Sequence, residues 1–300
     1  MRLVSYRRNG ETGVGAIVDE VSAVALSEAA PDLPRNLKQI LELEDGLERV
    51  RGAVDGRPAD FALDDIAFDP VIPDPHAIWA LALNFDMHIQ ETSLTTSAEH
   101  PQIFLRMPAS QVGHKQAMVC PRPDVAKTYD YEGELAVIMG RGGRYIDEAD
   151  ALGRVAGYAC YNEGSVREFQ SHNRQFGLGK NFEKSGSFGP WMVTADEFGD
   201  PKKHSVTTRL NGVEKQRCGF DEMLFSVEQV IKYLSTGYSL RPGDVIAMGT
   251  PGALPPEPGY VAGPQDSDRI PGRTQMKPGD VVDVEISGIG TLSNPIVASD

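Results

Sequence analysis

Three hundred residues exceed one average domain yet fit a single large one with a small appendage, and 40% hydrophobic residues furnish a substantial core, which excludes a disordered chain. Asp and Glu number 43 against 29 Lys and Arg, and the formal net charge of −14 repels nucleic acid and anionic membrane surfaces, excluding a polyanion partner. No stretch approaches the ~20 apolar residues of a membrane span, and the start Met1-Arg2-Leu3-Val4-Ser5-Tyr6 lacks a signal peptide's apolar core, so no membrane association and a cytoplasmic location are expected.

In chain order, residues 1–20 alternate and turn like a hairpin, with Leu3-Val4-Ser5-Tyr6 and residues 13–18 on either side of Asn9-Gly10. The spacing of Leu37, Ile40, Leu41, Leu43 and Leu47 predicts a helix over 36–48. Pro70, Pro73 and Pro75 then punctuate a linker, and a boundary near residue 72 divides a small N-terminal α/β domain (1–72) from a larger domain (73–300). Beyond it, strand-like runs at 78–83, 103–105, 135–140, 155–161, 191–194, 205–210, 245–248 and 281–286 alternate with Gly and Pro turns. One clear helix, 226–236, carries the stripe Val227, Val230, Ile231, Leu234 between a Ser226 N-cap and Gly237. The expected class is α+β and rich in β. Residues 251–278 form a Pro-, Gly- and Asp-rich loop of a length usually kept for function or disorder. Cys120, Cys160 and Cys218 are scattered without a C-x-x-C pair, so neither a disulfide framework nor a zinc knuckle is expected.

The strongest chemical signal is Tyr131-Glu132-Gly133-Glu134-Leu135 at the mouth of an apolar strand. Side chains at i and i+2 leave one face of a strand about 6–7 Å apart, within reach of a single ion, while Gly133 faces the other way. A solvated pair on a half-exposed strand is the plain alternative. Glu163 ends another apolar run and is a third carboxylate able to converge on the same ion. Three carboxylates with water make a hard-oxygen site suited to Mg²⁺ or Mn²⁺, with Ca²⁺ tolerated by the same donors. His88 and Glu91, three apart, share a face if this turn is helical, and a carboxylate beside an imidazole raises its basicity. Lys180, in glycine-rich sequence, is placed to neutralise a carboxylate or enolate, and Thr250 in Gly249-Thr250-Pro251-Gly252 offers a hydroxyl and neighbouring backbone N–H groups to an anion. Arg106 joins Lys180 and Thr250 as a substrate-binding candidate. There is no G-x-S-x-G, P-loop or G-x-G-x-x-G, so serine hydrolase, NTPase and Rossmann readings have no support.

These segments also occur in a telling order: Asn84…His88…Glu91, Asp130-Tyr131-Glu132-Gly133-Glu134, Asn162-Glu163…Ser165…Arg167, Gly179-Lys180-Asn181-Phe182, Met223-Leu224-Phe225-Ser226, Arg241-Pro242-Gly243-Asp244, Gly249-Thr250-Pro251-Gly252 and Lys277-Pro278-Gly279-Asp280. The set, spread over most of 75–298, resembles the fumarylacetoacetate hydrolase family. The resemblance implies a mixed β-sandwich roll, a homodimer, and a Mg²⁺ or Mn²⁺ that chelates a small 2-oxo acid substrate. It implies further that Glu132 and Glu134 are metal ligands, that His88 and Glu91 form a water-activating dyad on a lid, and that Lys180 and Thr250 contact the substrate. Two departures stand out: the third ligand position, commonly Asp, is Glu163, and 253–275 inserts Pro-rich sequence beside the site. The first reading is a metal-dependent hydrolase cleaving a C–C bond in an acylpyruvate-like 2,4-diketo acid through a metal-bound enolate. A lyase of the same family (2-oxo acid decarboxylase, 2-keto-3-deoxy sugar acid dehydratase, hydratase or isomerase) comes second, and a non-catalytic metal-binding scaffold third.

Overall fold

The N-terminal hairpin forms as expected: Arg2–Arg8 pairs antiparallel with Glu11–Ile17 from Arg2↔Ile17 to Arg8↔Glu11, around Asn9 and Gly10 at φ 53° and 83°. The computed structural model describes residues 1–92, 99–255 and 273–300, Glu91 and Thr92 as backbone only. Of the 253–275 insertion, residues 256–272 lie outside the described residues.

Two mixed sheets organise the described chain. The larger runs Phe61–Ala62, Ser22–Ala25, Glu11–Ile17, Arg2–Arg8, Gly186–Thr194, Val155–Asn162, Gly133–Met139, Val245–Ala247, Ile78–Ala82, Gln102–Arg106; the smaller runs Val213–Gly219, Ser205–Leu210, Val281–Ile286, Gly290–Ala298, Met118–Cys120. Val245–Ala247 lies parallel to Ile78–Ala82, and Gly290–Ala298 parallel to Met118–Cys120. The expected β-rich fold is therefore present.

The central strand Gly133–Met139 is buried along its whole length. Its alternation divides it between two cores: Leu135, Val137 and Met139 pack with Val206, Val284 and Leu292 of the smaller sheet, whereas Ala136 and Ile138 pack with Leu3, Val14, Leu37 and Ile40. A strand covered on both faces reads as a continuous apolar run, as this one does. Each fully buried Leu, Ile or Val contributes about 1.5–3 kcal/mol, so the strand's inner half is a rigid base for whatever its polar end carries. Because Arg2–Arg8 also pairs with Gly186–Thr194, residues 1–72 share a sheet and a core with the rest.

Two elements depart from expectation. The stretch 36–48 is two helices, Leu37–Leu41 and Gly46–Val54, since the turn between them brings Gly46 so near Ile40 that a Cβ there would lie 1.9 Å from the Ile40 carbonyl. The strand foreseen at 191–194 begins at Gly186 and runs through Pro190. Pro190 has no N–H for the ladder, and the register against Val155–Asn162 shifts between Tyr158 and Cys160 where it passes. The expected helix is Val227–Gly237, closed at its start by a reciprocal Ser226–Gln229 capping box, with its apolar stripe buried.

Candidate functional site

The carboxylates meet because two antiparallel strands end together. Gly133 pairs with Asn162 and Glu134 with Tyr161, and the Glu163 N–H donates to the Glu132 carbonyl at 2.9 Å, which sets Glu163 across from the Glu132/Glu134 pair. Gly133 is needed here because a Cβ would sit 2.1 Å from Thr208 Oγ1 of the smaller sheet. All three glutamates are buried, and one oxygen of each lies within 4.8 Å of the others. Like charges at that separation repel by roughly 3 kcal/mol per pair even at an effective dielectric near 20.

Cations resolve part of this conflict. Lys180 Nζ lies 2.5 Å from Glu132 Oε2 and 2.8 Å from Glu163 Oε2. Arg167 bridges Glu132 Oε1 (2.6 Å) and Asp130 Oδ2 (2.5 Å), and the fully buried Arg273 holds Asp130 Oδ1 at 2.8 Å. Burial alone would raise the Glu132 carboxyl, but Arg167 and Lys180, helped by His88 and Arg273, hold it well below the usual range. Glu134 goes the other way, pushed well up by burial and by the charges of Glu163 and Glu132. Glu163 is also raised, burial outweighing Lys180 and Arg106. Glu134 receives the Gly249 N–H on Oε2 at 2.8 Å, while its Oε1, like Glu163 Oε1, has no hydrogen-bond donor among the described residues. Buried carboxylate oxygens left over on three converging side chains fit a hard divalent cation: Mg²⁺ and Mn²⁺ take this donor set, and Ca²⁺ tolerates it.

Each residue foreseen from sequence now has a place. Lys180 is buried, ending the turn Leu178–Lys180 with its ammonium 5.2 Å from the Phe104 ring centroid. His88 is buried on the helix Asp86–Thr92, near enough to Glu132 to help hold its charge. Glu91 lies one turn on in that helix, its side chain outside the described residues. Arg106 is fully buried, with its guanidinium engaged by Ser110 Oγ, Ser185 Oγ (3.3 Å) and the Gly164 carbonyl (3.2 Å), and Nη1 3.5 Å from Glu163 Oε1. That arrangement braces Glu163. Thr250 is buried beside the cluster, and the Gly249 N–H expected to meet an anion is given to Glu134.

Sequence reasoning passed over the supports. Asp130, two residues before Glu132, and Arg167, four after Glu163, stood inside quoted motifs, and their spacing was the available signal. Arg273 and Gln216 reach the cluster from distant segments and carry no local signal.

The family model described as fumarylacetoacetate (FAA) hydrolase C-terminal matches residues 77–297. The chain is 33% identical over 243 residues to oxaloacetate tautomerase YisK of Bacillus subtilis (strain 168), covering 79% of this chain and 75% of the relative. It is 30% identical over 303 residues to oxaloacetate tautomerase fahd2, mitochondrial, of Xenopus laevis, covering 99% and 90%. Among solved structures, the fumarylacetoacetate hydrolase from psychrophilic Exiguobacterium antarcticum superposes with a TM-score of 0.79 at 29% identity, over 100% of both chains.

Proposed function

The chain belongs to the fumarylacetoacetate hydrolase family, an enzyme family, and from that premise we propose that it catalyses enolisation of a small 2-oxo acid, specifically the keto–enol tautomerisation of an oxaloacetate-like 2-oxo dicarboxylate. The observation that carries this reading is Lys180 Nζ lodged between Glu132 and Glu163 in a buried carboxylate cluster. Both relatives named as oxaloacetate tautomerases support the substrate class.

Glu132, Glu134 and Glu163 would hold a Mg²⁺ or Mn²⁺ ion. When bound, that ion supplies Lewis acidity to the 2-oxo group and so acidifies the neighbouring C–H. The chain's own groups do the rest. Lys180 sets a positive charge, in a site shielded from water, where the ketone oxygen becomes negative, an interaction stronger in the transition state than in the substrate. The Thr250 hydroxyl orients the substrate. His88 takes up the proton leaving carbon as Lys180 stabilises the enolate oxygen, and return of that proton to the oxygen completes the enol.

A second reading, C–C hydrolysis of an acylpyruvate, is favoured by the position of His88 one helical turn before Glu91, the arrangement that activates water. The two separate in one assay. With Mn²⁺ present, the protein should accelerate decay of the oxaloacetate enol, read by its ultraviolet absorbance, and EDTA should abolish the effect. Acylpyruvate cleavage without enol decay would replace tautomerisation by hydrolysis; activity of either kind in EDTA would remove the metal from the mechanism.

A further inference from the structure

Gln216 belongs to the Val213–Gly219 strand of the smaller sheet, is fully buried, and joins three groups around the carboxylate cluster. Its Oε1 accepts from the Gly133 N–H at 3.1 Å, between the two glutamates. Its Nε2 donates to the Pro251 carbonyl at 2.7 Å and to Thr250 Oγ1 at 2.9 Å. The amide has one workable orientation: turned over, it would set N–H against the Gly133 N–H and carbonyl against the Pro251 carbonyl. An amide nitrogen only donates, so Thr250 Oγ1 is the acceptor of that bond and its own proton must point elsewhere. The Pro251 carbonyl accepts it only at 3.4 Å, a long hydrogen bond beside the 2.7 Å one from Gln216, so a closer acceptor brought by a ligand outcompetes it.

We infer that Gln216 fixes the polarity of the Thr250 hydroxyl, making it a donor toward the bound ligand. At that point the site favours an anionic oxygen, carboxylate or enolate, and rejects an ammonium or amide N–H, because a donor facing a donor leaves both unsatisfied. Gln216 is thus a positioning residue for specificity, acting through Thr250 from the smaller sheet. The inference rests on the reading of this site as one for a 2-oxo acid.

Calorimetric titration of oxalate, a planar 2-oxo acid analogue, into the Mn²⁺-loaded protein tests it. Thr250→Val should weaken oxalate binding by about 10-fold, the loss of one hydrogen bond to a charged group. Gln216→Glu, which can only accept from Thr250, should weaken it at least as much. Gln216→Met adds no buried charge and serves if the Glu variant fails to fold; its loss should be smaller, about 3- to 5-fold, on the scale of one neutral hydrogen bond. Thr250→Val combined with Gln216→Met should bind no worse than Thr250→Val alone, whereas a residue that merely supports the fold would give additive losses. Oxalate affinity unchanged in Gln216→Met, additive losses in the double variant, or wild-type affinity in Thr250→Val each overturns the inference while leaving the functional reading standing. Failure of the wild-type Mn²⁺ protein to bind oxalate overturns the functional reading, and the inference with it.

Discussion

Asn84 and Glu134 are each 1% exposed, yet the described residues satisfy only the first. Asn84 Nδ2 donates to the carbonyls of Phe225 (3.1 Å) and Met248 (2.8 Å), and Oδ1 accepts the Phe225 N–H at 2.8 Å, so its side chain has a partner on each atom. Glu134 keeps one oxygen without a donor among the described residues, beside two more carboxylates. A buried polar group whose partners all come from the chain is architecture; one whose partners are incomplete marks where something else binds. Both residues stood in one ordered set of motifs, so their different roles follow from partners and not from pattern.

The largest expected effect tests the incomplete side of this contrast. Glu134→Gln should lower Mn²⁺ affinity by at least about 100-fold, a ligand mattering more than the 10–100-fold typical of an outer-shell partner. Without metal the same variant should melt higher than wild type at pH 7, because burial and the Glu163 and Glu132 charges already disfavour the ionised form. Calorimetry with Mn²⁺ and thermal denaturation in EDTA check the two halves; unchanged affinity would mean Glu134 is no ligand.

Asn84→Ala should do the reverse. Removing a side chain that ties Phe225 and Met248 to the segment before the Asp86–Thr92 helix should cost about 2–4 kcal/mol in urea denaturation, since the groups it leaves are buried and unsatisfied. Mn²⁺ affinity should fall no more than about 10-fold, the low end for an outer-shell partner, because Asn84 reaches Glu134 only through the Met248–Gly249 turn. A loss of metal binding equal to that of Glu134→Gln would collapse the distinction.

His114 sharpens the comparison with a smaller effect. Its Nδ1 accepts the Ser293 N–H at 3.1 Å, a partner it keeps only while the ring is neutral. Burial, aided by Lys115, pushes its imidazole down from 6.5 to about 4. Above the unfolded value both states are neutral; as pH falls the unfolded chain binds a proton that the folded one refuses, so stability falls between about pH 6.5 and pH 4. The loss should be on the order of 2 kcal/mol, allowing for partial exposure. Melting temperatures compared between pH 7 and pH 5 should drop less in His114→Gln than in wild type, and equal drops would place the acid sensitivity elsewhere.

Short-range features were legible without the fold. The Asn9-Gly10 hairpin, the Ser226-capped helix and the strands 205–210 and 281–286 appear where composition and period placed them, because turn chemistry, capping and alternation are set by residues a few positions apart. The metal candidates were legible for a related reason: Glu132 and Glu134 stand two apart where one strand begins, and Glu163 follows the end of the strand beside it. What failed locally was overruled by packing, as at Gly46, where the turn against Ile40 splits an otherwise helical period, and at Pro190, which the sheet absorbs.

Sequence alone therefore determined the β-rich class, the residues that converge and their hard-oxygen chemistry, since each depends on spacing and on side-chain type. Only the tertiary structure decided what braces them. Arg273 meets Asp130 across 143 positions, Gln216 meets Gly133 across 83, and Arg106 lies against Ser185 across 79. It likewise decided that the Gly249 N–H serves Glu134 and that Arg106 turns inward on Glu163. The physical reason is that a buried charge or amide takes its partners from whichever strands the core presses together, and that choice leaves no periodic trace along the chain.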